Sequence, residues 1–251
     1  MSRVPIGLQL FSVREDCAED LPATLKAVAA MGYEGVEFAG YYDHSARELR
    51  DMLDEAGLKA AGTHLRLDAF LGDELDRTVE FCRVLGSPFA VCSWVPAENW
   101  ATRDALSALT ETFNGIAERL RPTGLRTGYH NHAAEFEPLD DGGTAWDVIF
   151  SRTHEDFIMQ IDTGNAMWGG ADPVPFVERY PGRAVVVHLK EWSAERKWVP
   201  IGEGDIRWED LFRVCAEQDC TEWYIVEQSS PEHTPLECVE LCLRNLKKMG
   251  L

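Results

Sequence analysis

The sequence predicts an α/β protein, a single (β/α)8 barrel spanning residues 1–251, on three observations. Four runs in the second half, LRTGYHNH, DFIMQID, AVVVHLKE and WYIVEQ, are apolar without polar alternation and read as strands buried on both faces. Each ends in a residue type that binds metal: His130 and His132, Asp162, His188 and Glu227. Successive ends lie 26 to 39 residues apart, the length of one strand, one helix and two loops, so the pattern is a series of βα units. In a closed parallel barrel the carboxyl ends of the strands share one rim, which brings such distant residues into one small volume.

The elements follow in order. PIGLQLF, around 5–11, is the first strand, and the first helix runs from a capping Asp20 through Pro22 to Met31, with Gly32 beyond it. EGVEFA at 34–39 is the second strand, followed by a helix from Ser45 to Ala56 that stops at Gly57. LKAAGTHL at 58–65 and PFAVCSW at 88–94 are the third and fourth strands, with a helix from Asp73 to Leu85 between them and Gly86 at its end. A longer helix from Thr102 to Leu120 ends near Pro122 and Gly124. After the fifth strand comes a short helix, Thr144 to Phe150, and after the sixth a glycine-rich loop beginning at Asp162. Pro173 to Tyr180, Trp208 to Gln218 and Pro235 to Met249 supply the last three helices. A doubly wound open sheet would normally carry a glycine-rich phosphate turn after its first strand; Phe11-Ser12-Val13-Arg14 stands there, so the closed barrel is favoured.

A formal net charge of −19 disfavours attraction to nucleic acid or to an anionic membrane, and fits a neutral or weakly charged small molecule better. The seven cysteines, Cys17, Cys82, Cys92, Cys215, Cys220, Cys238 and Cys242, form no CxxC pair, so reduced thiols and a soluble, cytoplasmic protein are expected. No signal-like start and no apolar run long enough to span a bilayer is present.

Asp162 opens Asp162-Thr163-Gly164-Asn165, where it can ligate a cation or cap the following turn. His188 shares a strand face with Val186 and Lys190, and is either a ligand or a hydrogen-bonded core residue. Glu227 follows Tyr224-Ile225-Val226, where a carboxylate is costly to bury without a partner cation or hydrogen bonds. His130 and His132 lie on one side of the fifth strand with Asn131 facing away, so both can bind one metal, or one can bind while the other carries protons. Further rim candidates, for substrate contact or for structural pairing, are Gln9, Glu37, His64 and Trp94, with Glu203 in a loop that could swing over a ligand. Lys190 is placed to stabilise negative charge on an intermediate.

GLQLFSVRE and GYEGVEFAG at the front, then YHNHAAEFEP, IDTGNA, VVVHLKE, IGEGDI and YIVEQ, make the whole chain resemble the xylose isomerase-like barrel superfamily of sugar isomerases and epimerases, which also holds inosose dehydratases and endonuclease IV. The resemblance implies one divalent cation, manganese, magnesium, cobalt or zinc, with Asp162, His188 and Glu227 at three ligand positions. Members of the family are often homodimers. At the fourth position the family has a strand-five Glu, which in its epimerases is also one of two proton-transferring bases. Here His130 stands in that place, so either His130 holds the ion or Glu135 folds back to replace the carboxylate. Endonuclease IV needs a basic DNA groove, against which the acidity of the chain argues.

With such an ion, the carbon-bound proton beside a sugar carbonyl becomes acidic and an enediolate follows. Glu227 with His130 or His132 are the proton carriers expected. A metal-dependent isomerase or epimerase of unphosphorylated sugars is the leading expectation. A lyase on 3-keto-glycosides or inososes is the rival, and a noncatalytic sugar-binding barrel is the alternative outside enzymes.

Overall fold

A computed structural model describes residues 3–100, 102–139 and 142–251; residues 1–2, 101 and 140–141 of the expected domain lie outside the described residues. All eight expected strands form: β1 Ile6–Gln9, β2 Gly35–Phe38, β3 Lys59–Arg66, β4 Phe89–Trp94, β5 Arg126–His130, β6 Ile158–Gln160, β7 Val186–Leu189 and β8 Trp223–Val226. They pair in parallel in the order β6-β5-β4-β3-β2-β1-β8-β7. The two outer members, β6 and β7, are tied across the gap by a parallel bridge between Asp162 and His188, with the His188 N–H donating to the Ile161 carbonyl at 2.9 Å. The sheet is thus a nearly closed (β/α)8 barrel, and its seam runs through two of the expected ligands.

Local chemistry sets the helices. Among them α2, Ala46–Ala56, starts in a capping box between Ser45 and Glu48, and α9, Pro235–Lys248, in another between Thr234 and Glu237. The first helix, α1, begins earlier than expected, at Arg14, and breaks at Asp20, where the carboxylate accepts from the Ala23 N–H at 2.9 Å and caps the second half. The other elements are α3 Glu74–Leu85, α4 Arg103–Leu120, α5 Ala145–Arg152, α6 Thr163–Trp168, α7 Val174–Arg179 and α8 Trp208–Gln218. α6 replaces the expected loop after Asp162.

Strand alternation sorts side chains into two cores. Leu8, Val36, Cys92, Met159, Val187 and Val226 face outward into the layer under the helices, while Phe89, Val91, Ile158, Val186, Trp223 and Ile225 fill the barrel. β1 and β2 make room for the β8 side chains with glycine: a Cβ on Gly35 would lie 2.7 Å from the Trp223 ring, and one on Gly7 2.7 Å from Ile225. Above that apolar plug, toward the carboxyl rim, Gln9, Glu37, Gln160 and His188 are all fully buried, so the barrel changes from apolar to polar just beneath its mouth. Among the described residues no helix is long and apolar enough to cross a membrane.

Candidate metal centre and cavity

His130, Asp162, His188 and Glu227 arrive from the ends of β5, β6, β7 and β8, and one donor atom of each lies within 4.8 Å of those of the others. Two of these residues carry buried polar atoms that have no hydrogen-bond partner, His130 Nδ1 and Asp162 Oδ2. An orphaned imidazole nitrogen beside an orphaned carboxylate oxygen is costly unless a third species completes both. Nitrogen and oxygen donors in this number suit a divalent cation such as manganese, cobalt, magnesium or zinc.

The layer beneath sets their orientation. Glu37 accepts from Gln9 Nε2 at 2.7 Å, Gln160 Nε2 at 2.8 Å and His188 Nε2 at 2.6 Å, with His64 Nε2 at 3.0 Å. Nε2 of His188 therefore donates to Glu37, and Nδ1, which gives its proton toward Glu227 when no cation is bound and would lose it to a ligated ion, faces the Glu227 carboxylate at 3.2 Å and the Asp162 carboxylate at 3.9 Å. A histidine whose far nitrogen is held by a carboxylate is the usual way to aim the near one at a metal. Asp162 is held at both ends: Asn131 clasps its backbone, accepting from its N–H at 2.7 Å and donating to its carbonyl at 3.1 Å. Asp162 Oδ1 accepts from the Asn165 N–H at 2.7 Å and caps α6, which leaves Oδ2 for the centre. The capping and ligand readings of Asp162 thus use different oxygens. Lys190 Nζ donates to Glu227 Oε1 at 2.8 Å and stands 5.0 Å from the centre of the Trp198 ring.

The electrostatics ask for positive charge. Burial raises the Asp162 carboxyl to about 6, with Glu227 adding to the rise while Lys190 and His188 oppose it. Burial would also raise Glu227, but Lys190 and the hydrogen bond from His188 outweigh it and hold that carboxyl well below its usual range. Burial works against the His188 imidazolium, yet Glu37 and Glu227 more than offset it and lift the group to about 10. His130, in contrast, is driven well down by burial with His64 and His188 beside it, so its imidazole is neutral and free to ligate.

A cavity of about 290 Å³ opens over this cluster, lined by Phe11, His64, Arg66, Trp94, His130, His132 and Glu227 among others. A larger hollow of about 720 Å³ lies at the amino ends of the strands, around Pro5, Lys59, Pro88 and Glu222, away from this chemistry. Of the expected site residues, the structure brings His64, Trp94, His130, His132 and Glu227 to the cavity, and places Asp162, His188 and Lys190 directly behind it. Four further candidates lie outside the cavity. Gln9 and Glu37 are fully buried and support the centre from below, with no surface left to meet a substrate. Glu203 does not line the cavity; it sits 3.5 Å from Arg196 in its own loop. Glu135 does not fold back, because Tyr129 OH at 2.7 Å and the His132 N–H at 2.9 Å hold its carboxylate on the outer side of β5.

Several supporting residues were not singled out from the sequence. Asn131 was expected to face away, and proves to join β5 to Asp162. Glu191, at the end of the VVVHLKE run, is fully buried and accepts from Trp192 N, Gly202 N, Ile206 N and Trp208 Nε1, which pins the loop after β7. Its signal was available: an acid closing an apolar strand needs partners as much as Glu227 does.

A family model described as a xylose isomerase-like TIM barrel matches residues 25–246. The inosose dehydratase of Geobacillus kaustophilus is 24% identical over 243 residues, covering 81% of this chain and 78% of that protein. A 3-dehydroshikimate dehydratase of Pseudomonas aeruginosa is 26% identical over 215 residues, covering 73% of this chain and 32% of that protein. Among solved structures, a sugar phosphate isomerase/epimerase from Parabacteroides distasonis superposes with a TM-score of 0.82 at 24% identity, covering 100% of this chain and 96% of the other.

Proposed function

The chain belongs to the xylose isomerase-like TIM barrel family, and on that premise we propose that it is a divalent-metal-dependent lyase that removes water from a polyhydroxylated ketone, a ketose or an oxidised cyclitol. The observation that carries the reading is the convergence of His130, Asp162, His188 and Glu227 with two orphaned donor atoms among them. Those four residues would hold the ion. When bound, a divalent cation supplies Lewis acidity toward a carbonyl oxygen and a neighbouring hydroxyl and so acidifies the C–H bond between them.

The proton chemistry falls to His132. Its side chain is half exposed at the cavity, and its Nδ1 faces Glu135 Oε1 at 3.9 Å, which leaves Nε2 toward a substrate. Burial lowers its basicity despite Glu135, so the ring is neutral at pH near 7 and can take a proton from carbon at Nε2. Handing the same proton to the departing β-hydroxyl balances the step: one C–H and one C–O bond break, a C=C bond forms, and water leaves. Lys190 keeps Glu227 ionised beside the reacting carbon and offers positive charge to the developing enolate.

Elimination is preferred over epimerisation because the two faces of the site are unequal. A two-base exchange works best with a matched pair, and here a neutral imidazole stands opposite a carboxylate bound to Lys190 and His188. The two relatives named as dehydratases support the same choice. Isomerisation or epimerisation is the second reading, favoured by the presence of both Glu227 and His132 at the cavity wall. Incubation with inososes, 3-keto-glycosides and ketoses in deuterated water, with and without manganese, tests the proposal. The expected result is manganese-dependent loss of water to an unsaturated product. Deuterium wash-in without loss of water selects the second reading, and no exchange with any of them leaves a noncatalytic binder.

A further inference from the structure

Arg66, the last residue of β3, is out of keeping with the rest of a chain that carries 43 acidic residues against 24 basic ones. Among the described residues it is the one arginine with no hydrogen bond and no ion pair. Its guanidinium carbon lies 3.6 Å from the centre of the Trp94 ring, itself 40% exposed at the end of β4. Both side chains line the cavity over the metal centre, and both also line an adjoining hollow of about 460 Å³ bordered by Asp68, Leu71, Glu98 and Asn99. Asp68 and Glu98 are near enough to border that hollow, yet neither forms a pair with the guanidinium. No other lysine or arginine lines either space.

An arginine fixed over an aromatic face has its flat direction occupied and its N–H edge free, which is the geometry for a two-pronged bond to a carboxylate. We propose that Arg66, supported by Trp94, binds a carboxylate on the part of the substrate remote from the reacting carbon, so that the substrates of this site are hydroxyketo acids. The inference rests on the functional reading above for the position of the reacting carbon. It departs from the neutral substrate expected from net charge, because a monoanionic carboxylate would meet the unpaired guanidinium in direct contact, where a two-pronged bond outweighs the diffuse charge of the chain. A phosphate is the poorer fit, since a dianion would meet Asp68 and Glu98 with a single cation to hold it.

Three open-chain hexose derivatives serve as probes: gluconate with a carboxylate, glucitol with none, and glucitol 6-phosphate. Their binding to the manganese-loaded protein is measured by calorimetry for the wild type, Arg66→Met and Arg66→Lys. The expected result is that gluconate binds the wild type at least about tenfold more tightly than glucitol, that Arg66→Met removes that preference, and that Arg66→Lys restores part of it. Unchanged glucitol binding shows that the variants retain the cavity. Equal binding of gluconate and glucitol to the wild type overturns the proposal. So does a gluconate preference that survives Arg66→Met, which would place the carboxylate on the cation, and so does an Arg66-dependent preference for glucitol 6-phosphate. Because binding is read without turnover, a failed elimination assay leaves these outcomes distinct.

Discussion

At the scale of single residues, the centre is a set of charges that are costly apart. Fully buried Asp162 and His188 meet Glu227 at the cavity wall, and the Asp162 carboxyl rises to about 6, first from burial and then from Glu227. Its ordinary value is 3.8, so between these two values the cation-free native state holds a proton that the unfolded chain has released. This group's contribution to stability therefore falls as pH rises through that window. A bound divalent ion displaces the proton and removes the penalty. The rise in melting temperature on adding manganese should accordingly be larger at about pH 7 than at about pH 5, and Asp162→Asn should abolish most of it. Equal manganese shifts at the two pH values would show that Asp162 is not a ligand. Asp162, His188 and Glu227 were legible as candidates because each ends an apolar strand. The assignment of partners was not, since a strand pattern gives a face and not a depth. Gln9 and Glu37 share their strands' inner face yet lie below the cavity floor.

At the scale of elements, strands were read more securely than the segments between them. A barrel strand is covered on both faces, so its sequence is a plain apolar run that needs no tertiary information to recognise. Its ends are another matter: DFIMQID contributes just Ile158–Gln160 to β6, because the chain turns at Asp162 to bridge β7. α6 escaped notice because Thr163, Gly164 and Asn165 are weak helix formers, and the helix depends on the Asp162 cap. The loop after β7 shows the same dependence on a single side chain. Glu191 collects four N–H donors without exposure, two on each oxygen, and Gln in its place would turn an NH2 group on two of those donors. Glu191→Gln should cost about 1–3 kcal/mol in urea denaturation, through an unsatisfied buried group. A variant as stable as the wild type would mean that the loop is held by its other contacts, such as Ile201 and Asn245.

At the scale of the whole molecule, closure is what turns a linear pattern into a site. The eight strands put four donors from the second half of the chain on one rim, over a plug made of Phe89, Val91, Trp223 and Ile225. The first half supplies what lies beneath and beside them: Glu37 under His188, His64 next to His130, and Arg66 with Trp94 at the mouth. Fold and rim were legible in one sequence because both follow from strand ends at regular spacing. The place of Arg66 was not, because it depends on which cations lack a partner in three dimensions. Diffraction from crystals grown with manganese, with an anomalous map collected near its absorption edge, tests the central claim most directly. A cation held by these strand ends gives one peak per chain, about 2.0–2.3 Å from donor atoms of His130, Asp162, His188 and Glu227. No peak there, or one held by Glu135 or Glu203 in place of His130, would contradict that claim.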